Sequence, residues 1–529
     1  MNIIDTEIPS DSESVDGLVE SENENVESDN LMDNTTPPDT NIDEVTDSDS
    51  DSEGDRLLDK NGDSWRRRGC LETKVPFTKI SGPNIPDLAK TPLDIFFCLL
   101  PTEFVDLLVH QTNLYVNQKD NSSKKTKKAK SEPVTREEIL TFLGINILMG
   151  VKKLPSYRDY WSLNYQLRDT YISSAMSVNR FGFLLTHLHL NDNSKEPKRG
   201  HAAYDKLYKI RPLVEILSKT FQDCWQPSEN QSVDESMVKF KGRSSMKQYL
   251  PNKPIKRGYK IWVRSDQSAF VCQFQIYTGK EKNSKKEDNL GNRVVTDLTR
   301  TLVGNYHRVY FDNFFTGKEL MISLKKDKIL ACGTVRSNRK GLPKDYQPDN
   351  KMKTGDSEFR SSSSGIGWVK WKDNRAVYAL SNFHDPSKVS DVNRKNKDGS
   401  INVISCPNMI KDYNQHMGYV DKSDMLKSLY EIDRKSKKWW HRILDIGHHL
   451  PNRAENLFLK ISRVIKCRFL TTCDFLQDHI CQKLYLIKAV EDVHFVAAKK
   501  TKTNIMDLLY MRCAFVSQLR EKLLLFVPH

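Results

Sequence analysis

From Gln231 onward the apolar pattern of this chain changes period, from the three-to-four-residue spacing of helices toward the two-residue alternation of strands. No other feature restricts its possible folds as much. Residues 259–264, 270–277 and 308–311 read as strands, 294–303 and 318–325 as helices between them, and 330–335 as a further strand. Strands passing into alternating helices and strands predict an α/β fold built on a sheet of mixed direction.

The flanking regions have different characters. From about Pro86 the pattern is helical: Thr135 followed by Glu138 matches a capping box, with Ile139, Leu140, Phe142, Leu143, Ile147 and Leu148 as the apolar face behind it. A second helix is predicted over 178–190, and a lysine-rich loop over 118–132. Residues 338–407 interrupt the α/β order with Gly, Pro, Ser and Asn, apart from a strand-like piece over 368–380, and read as an insertion. Helical character returns at Tyr413. At 529 residues the chain is expected to form several domains. The divisions expected are an acidic tail (1–75), a helical region (76–229), an α/β core in two parts (230–337 and 408–430) around the insertion (338–407), and further helices (431–529).

Charge is unevenly spread. Of the 69 Asp and Glu, 19 fall in residues 1–55, which hold no Lys or Arg and are expected to be disordered. The other 474 residues set 82 basic side chains against 50 acidic ones. Such an excess on a folded body attracts polyanions, nucleic acid first among them, although basic side chains also serve solubility alone. No apolar run reaches the roughly 18 residues that span a bilayer, so no membrane partner is expected. The ten cysteines are scattered in the manner of reduced thiols. Lys124, Lys125, Lys127, Lys128 and Lys130 form a candidate nuclear address, and the nucleus is the expected location.

Three acidic sites stand out. Asp234 opens the strand region in SVDESMVKFKGR, Asp312 directly follows an apolar strand in HRVYFDNFF, and Asp421 and Asp424 share a helix face in GYVDKSD. Taken singly, each also fits an ordinary role as a cap, a turn or a solvated helix charge. Together they suit phosphoryl transfer, in which two magnesium ions roughly 3.5–4 Å apart activate the attacking oxygen and stabilise the leaving one. Magnesium favours hard carboxylate ligands drawn from separate elements.

The basic residues nearest these acids are Lys239, Lys241, Arg243, Lys247, Lys253, Lys256, Arg257, Lys260 and Arg264, interleaved with Phe240, Tyr249, Tyr259 and Trp262. Arg336, Arg339, Lys340, Lys370 and Lys372 extend the set, with Trp368 and Trp371 placed either to stack on unpaired bases or to pack in a core. The stretch RKSKKWWHR at 434–442 offers the same choice for Trp439 and Trp440. Phosphate contacts of this kind supply affinity and register, with little sequence selection.

In the order LPSYRDYWS, NRFGFLLTHLHLND, SVDESMVKFKGR, QYLPNKPIKRGYKIW, VYFDNFFTGKEL, GTVRSNRKGLP and YNQHMGYVDKSD, the chain resembles the piggyBac transposases from about Pro86 to Leu459. The resemblance implies a ribonuclease H-like catalytic core, a mostly helical N-terminal domain continued by C-terminal helices, and a β-containing insertion. It implies Asp234, Asp312 and Asp421 as ligands of two Mg2+ ions, with Mn2+ able to substitute and Asp424 in support. The implied partners are double-stranded DNA, as transposon ends and TTAA target, and a second copy of the chain. The implied reaction is excision through hairpin ends and rejoining at TTAA.

Three departures from the family accompany the match. The last cysteines, Cys467, Cys473, Cys481 and Cys513, contain no C-x-x-C pair and His479 does not complete one, so no structural zinc is expected. Pro451 falls where the family runs a helix, at a cost of about 3 kcal/mol in a helix interior. Tyr419 replaces a glycine. Two classes of function follow: a metal-dependent transposase, and a domesticated, catalytically silent nuclear DNA-binding protein.

Overall fold

The computed structural model describes residues 57–58, 64–69, 75–89, 91–122, 131–251, 253–279, 289–395, 400–432 and 438–444. The acidic stretch 1–55, the lysine cluster at 124–130, Arg434, Pro451, His479 and the four C-terminal cysteines lie outside these residues.

Two short strands open the described chain, β1 (Leu57–Leu58) and β2 (Ser64–Arg66), followed by β3 (Gly82–Pro83). Six helices come next: α1 (Pro92–Leu99), α2 (Thr102–Ser122), α3 (Arg136–Val151), α4 (Thr170–Ala175), α5 (Val178–His187) and α6 (Arg211–Cys224). The capping box expected at Thr135 is present. Its hydroxyl accepts from the Glu138 N–H while the Glu138 carboxylate accepts from the Thr135 N–H, satisfying two groups that a helix start leaves bare. Arg180 from α5 then clamps the same Glu138 at 2.7 Å, tying α5 to the start of α3.

Strand β4 (Trp225–Gln226) pairs with β3. Beyond it come β5 (Asn230–Lys239), β6 (Gln248–Tyr249), β7 (Arg257–Asp266), β8 (Val271–Ile276), α7 (Leu290–Thr299), β9 (Arg308–Phe311), α8 (Lys318–Lys326) and β10 (Leu330–Thr334). Residues 338–407 contain β11 (Ser357–Ser362), β12 (Gly367–Lys372), β13 (Ala376–Ser381), β14 (Val389–Lys395) and β15 (Ile401–Pro407). Helices α9 (Asn408–His416) and α10 (Tyr419–Tyr430) follow.

One 11-stranded sheet dominates, in the order β1-β2-β11-β12-β13-β10-β9-β5-β7-β6, with β8 also on β7. Strands β5, β9 and β10 run parallel to one another and the remaining pairs are antiparallel, so the sheet is mixed, as its sequence predicts. Two parts of the sequence reading change. The segment 338–407 does not interrupt the sheet: β13 pairs directly with β10 and carries β12 and β11 outward, leaving only β14 and β15 as a separate hairpin. Residues 57–58 and 64–66, assigned above to an acidic tail, form strands of that same sheet.

Strand β9 is buried on both faces, and its side chains alternate between two cores. Val309 and Phe311 face a core formed with α7 and α8, whereas Tyr310 faces a core formed with Met409 and Ile410 of α9. The N-terminal helices pack with β7, β8 and Val420 of α10 in a third cluster. Arg264, fully buried on β7, spends its guanidinium internally: Nε donates to the Leu298 carbonyl at 2.7 Å and Nη1 to Gln231 Oε1 at 2.9 Å. Strand β9 is the middle one of the three parallel strands. Phe311→Ala is expected to lower unfolding free energy by about 3–5 kcal/mol, the usual cost of emptying a buried phenylalanine site, as read from the denaturant midpoint.

Candidate functional site

Strands β5 and β9 set the site. Their parallel register places Val233 beside Phe311, so the next residues, Asp234 and Asp312, emerge side by side. Asp234 lies inside β5 and not at its start, because Asn230, Gln231 and Ser232 already belong to the strand. Alternation puts Ser232, Asp234 and Ser236 on one face. Helix α10 crosses that face: the Val420 N–H donates to Ser232 Oγ at 3.2 Å, and Ser236 Oγ donates to Asp424 Oδ1 at 2.6 Å. These two bonds hold α10 on β5, near enough for the Asp421 charge to act on Asp234.

The electrostatics record the meeting. Burial, with the neighbouring Asp312 and Asp421 charges adding to it, pushes the Asp234 carboxyl up to about 7; Lys253 and the Glu235 N–H oppose the shift. Burial raises Asp312 too, with Glu235 adding and the Phe314 N–H, which donates to Oδ1 at 3.0 Å, opposing. Burial also raises the Tyr413 phenol of α9, and both Asp312 and Asp234 contribute to that shift. Against this negative charge stands Lys253, whose Nζ is 3.9 Å from Asp234 and 3.8 Å from Glu235. Lys260 pairs with Glu235.

Asp424 has a different setting. It accepts from Ser236 and from buried Lys427 Nζ at 2.7 Å, which holds α10 against β5. Among the described residues no three His, Cys, Asp or Glu side chains stand close enough to hold a metal ion.

Backbone geometry around Asp312 is tight. Its carbonyl accepts from Thr316 Oγ1 at 2.8 Å. A Cβ on Gly333 of β10 would lie 2.5 Å from the Phe311 carbonyl oxygen and nearer still to that Thr316 hydroxyl, so only glycine fits there.

The basic candidates divide by exposure. Lys241, Arg243, Lys256, Arg257, Arg336 and Lys340 are exposed; Lys239, Lys253, Lys260, Arg339 and Lys372 are half-buried. Arg339 is committed to the carbonyls of Asn313 and Phe314, each at 2.8 Å, which braces the turn after Asp312. Lys370 is corrected: at 0% exposure it pairs with Asp349 at 2.7 Å and lies 4.5 Å from the Tyr346 ring centre, so its ammonium meets no ligand. Trp368, Trp371 and Trp440 are buried as well, and their role is packing. Of the aromatics interleaved with the first basic set, Tyr249 is 53% exposed, with the Arg257 guanidinium 5.0 Å from its ring centre, while Phe240, Tyr259 and Trp262 are buried.

Sequence reading missed Tyr413, Glu235, Ser236 and Lys427 at the site. It also missed Asp412, held well below the usual carboxylate range, against the opposing effect of burial, by hydrogen bonds from His384, His416 and Tyr310. No spacing announces these contacts; their partners are 102 residues apart for Tyr310 and Asp412, and 188 for Ser236 and Asp424.

A family model described as Transposase IS4 matches residues 91–446, which sets the chain in the transposase class. Human PiggyBac transposable element-derived protein 3 is 31% identical over 435 residues, spanning 77% of this chain and 70% of that protein. Human PiggyBac transposable element-derived protein 2 is 27% identical over 388 residues, 71% of this chain and 63% of that one. The chain belongs to the piggyBac family. Its fold is similar to that in a cryo-EM structure of a piggyBac transposase synaptic complex with hairpin DNA, with a TM-score of 0.63 and 24% identity across 81% of this chain and 86% of that one.

The raised carboxyl has a thermodynamic consequence. A carboxylate whose folded value exceeds its unfolded one removes stability as pH rises from about 4 to about 7, by a few kcal/mol for a shift of this size. Asp234→Asn, compared with the parent chain in the presence of a chelator, should therefore melt higher above pH 7 and equally near pH 4.

Proposed function

We propose that this chain is a DNA transposase that cleaves and rejoins DNA by metal-dependent phosphoryl transfer, on a ribonuclease H-like core. The observation that carries the reading is the convergence of Asp234, Asp312 and Asp421 from three separate elements, close enough for each of the latter two to raise the first. The donor set fits Mg2+ in its chemistry: hard carboxylate oxygens, whose mutual repulsion is opposed by Lys253 at 3.9 Å from Asp234 and by the N–H groups of Glu235 and Phe314. Asp234, Asp312 and Asp421 would hold two such ions, with Mn2+ able to substitute. When bound, these ions lower the pKa of the attacking hydroxyl or water and stabilise the leaving oxygen.

The chain's own residues orient the DNA. Lys253 is placed to meet a phosphate beside Asp234. The exposed Lys241, Arg243, Lys256 and Arg257 lie beyond Asp234 along β5 and β7, and Arg336 and Lys340 beyond β10, at the sheet edge where the parallel strands end. Guanidinium and ammonium groups there fix the backbone without reading bases. DNA as partner is supported by the similar transposase captured with hairpin DNA. TTAA as target, a homodimer as the active form and the nucleus as its location complete the proposal.

A second reading, a DNA-binding protein that does not cut, is favoured by one observation: no three acidic side chains stand at ligand distance among the described residues. Cleavage of labelled transposon-end DNA separates the two. Under the first reading, Asp312→Asn and Asp421→Asn each abolish cleavage by about three decades or more, several kcal/mol of barrier, and leave DNA binding intact. Cleavage by the parent chain disappears with chelator and returns with Mg2+ or Mn2+. A parent chain that binds the ends and never cuts them supports the second reading. Asp424→Asn should act differently from both substitutions, lowering stability by about 1–3 kcal/mol because Lys427 loses its charged partner.

A further inference from the structure

Residues 64–68 read Ser-Trp-Arg-Arg-Arg, and the sheet fixes the backbone around these arginines. Strand β2 pairs with β11, Trp65 opposite Ser362 and Arg66 opposite Ser361. Trp65 is 6% exposed and packs in the core beside α8. Its Nε1–H donates to the Gly341 carbonyl at 3.0 Å, and the Lys318 ammonium lies 5.2 Å from its ring centre. On the other side, Ser361 Oγ donates to the Arg68 carbonyl oxygen. Arg66, Arg67 and Arg68 themselves are exposed. The nearby acids Asp345 and Glu358 are taken by Arg360, at 3.2 and 3.6 Å.

Register places this patch relative to the carboxylates. Arg66 stands opposite Ser361, Ser361 opposite Gly367, Gly367 opposite Ser381, Ser381 opposite Cys332, and Cys332 opposite Tyr310. Arg66 is therefore level with Tyr310, two residues before Asp312. The alternation of strand directions makes β2 run the same way as β10 and β9, so Arg67 and Arg68 leave the sheet at the edge where Asp312 leaves it. Between them lies the loop of Arg336 and Lys340, which Trp65 touches through Gly341. Five strand spacings separate β2 from β9 in the sheet order. At about 4.8 Å each they span roughly 24 Å, about seven base-pair steps of 3.4 Å.

We propose that Arg66, Arg67 and Arg68 form a phosphate-binding site for duplex DNA about seven base pairs from the bond held at the carboxylates. The proposal rests on the DNA reading above. Arg66 at the end of a paired strand, with Arg67 and Arg68 directly beyond it, presents three planar guanidiniums, each able to bind a phosphate through paired hydrogen bonds. The loop of Arg336 and Lys340 continues the line of positive charge toward Asp312.

The test compares the full chain with its R66Q/R67Q/R68Q variant, binding a fluorescent mixed-sequence duplex of about 30 base pairs, long enough to cover both points. Each lost phosphate contact should remove about 0.9 from the slope of log affinity against log salt, or about 2.7 for three. Raising salt fourfold should then weaken the parent roughly fortyfold more than the variant. An unchanged melting temperature shows that the variant is folded. Equal slopes, or a variant that binds as tightly as the parent or more tightly, overturn the proposal and leave the arginines facing solvent. A parent that binds no DNA fails the reading on which the proposal rests, and is distinct from a parent that binds with a steep slope shared by the variant.

Discussion

Parallel pairing of β5 with β9 is the constraint on which the rest of the molecule depends. It aligns Val233 with Phe311 and so delivers two carboxylates to adjacent strands at one level. Everything near them either secures that alignment or answers the charge it concentrates. Phe311 and Val309 anchor β9 from below through the α7 and α8 core, while Tyr310 anchors it from above through Asp412 of α9 at 2.7 Å. Gly333 lets β10 approach closely enough to fix the turn that carries Asp312.

Like charges in a half-buried place are unfavourable, and the fold does not hide this. Asp234 rises to about 7, with Lys253 close by. Stability is surrendered where the parallel strands end, as is common where a side chain is kept for function. By contrast Asp424, three residues from Asp421, is fully engaged with Ser236 and Lys427. Two acids on one helix face thus divide the work: one fastens α10 to β5, and the other is left exposed above Asp234.

How much of this was legible in the sequence depended on how local each signal was. Strand β9 matched its expected limits, 308–311, because an apolar run ended abruptly at an acid. The start of α3 was legible because a capping box is a four-residue device. Strand β5 was harder: Gln231 and Ser232 are polar residues buried near its start, and their partners include Arg264 and the N–H of Val420, both distant in sequence. Lys370 and its tryptophan neighbours misled for a related reason. The alternation in GWVKWK suggests one wet face, but Tyr346 and Asp349, from the chain preceding β11, cover Lys370 completely. Trp65 gave no periodic signal at all, being a single aromatic in a polar stretch whose partners lie about 300 residues away.

That last case bears on how the sheet is used. A strand as short as β2 contributes little pairing of its own, and its place is determined by one buried indole with a hydrogen bond to Gly341. Such an attachment adds an outer strand with a basic end while leaving the central parallel strands undisturbed. The edge that presents Asp312 therefore continues as a single surface from Lys241 beyond β5, past Arg336 and Lys340, to Arg66 on β2. Its charge is negative where the parallel strands end and positive to either side. A polyanion bound along it would be repelled at the carboxylates unless a cation lay between them, and attracted everywhere else. On the proposed function, the same distribution of charge would hold DNA in place and would make a divalent cation a condition of its closest approach.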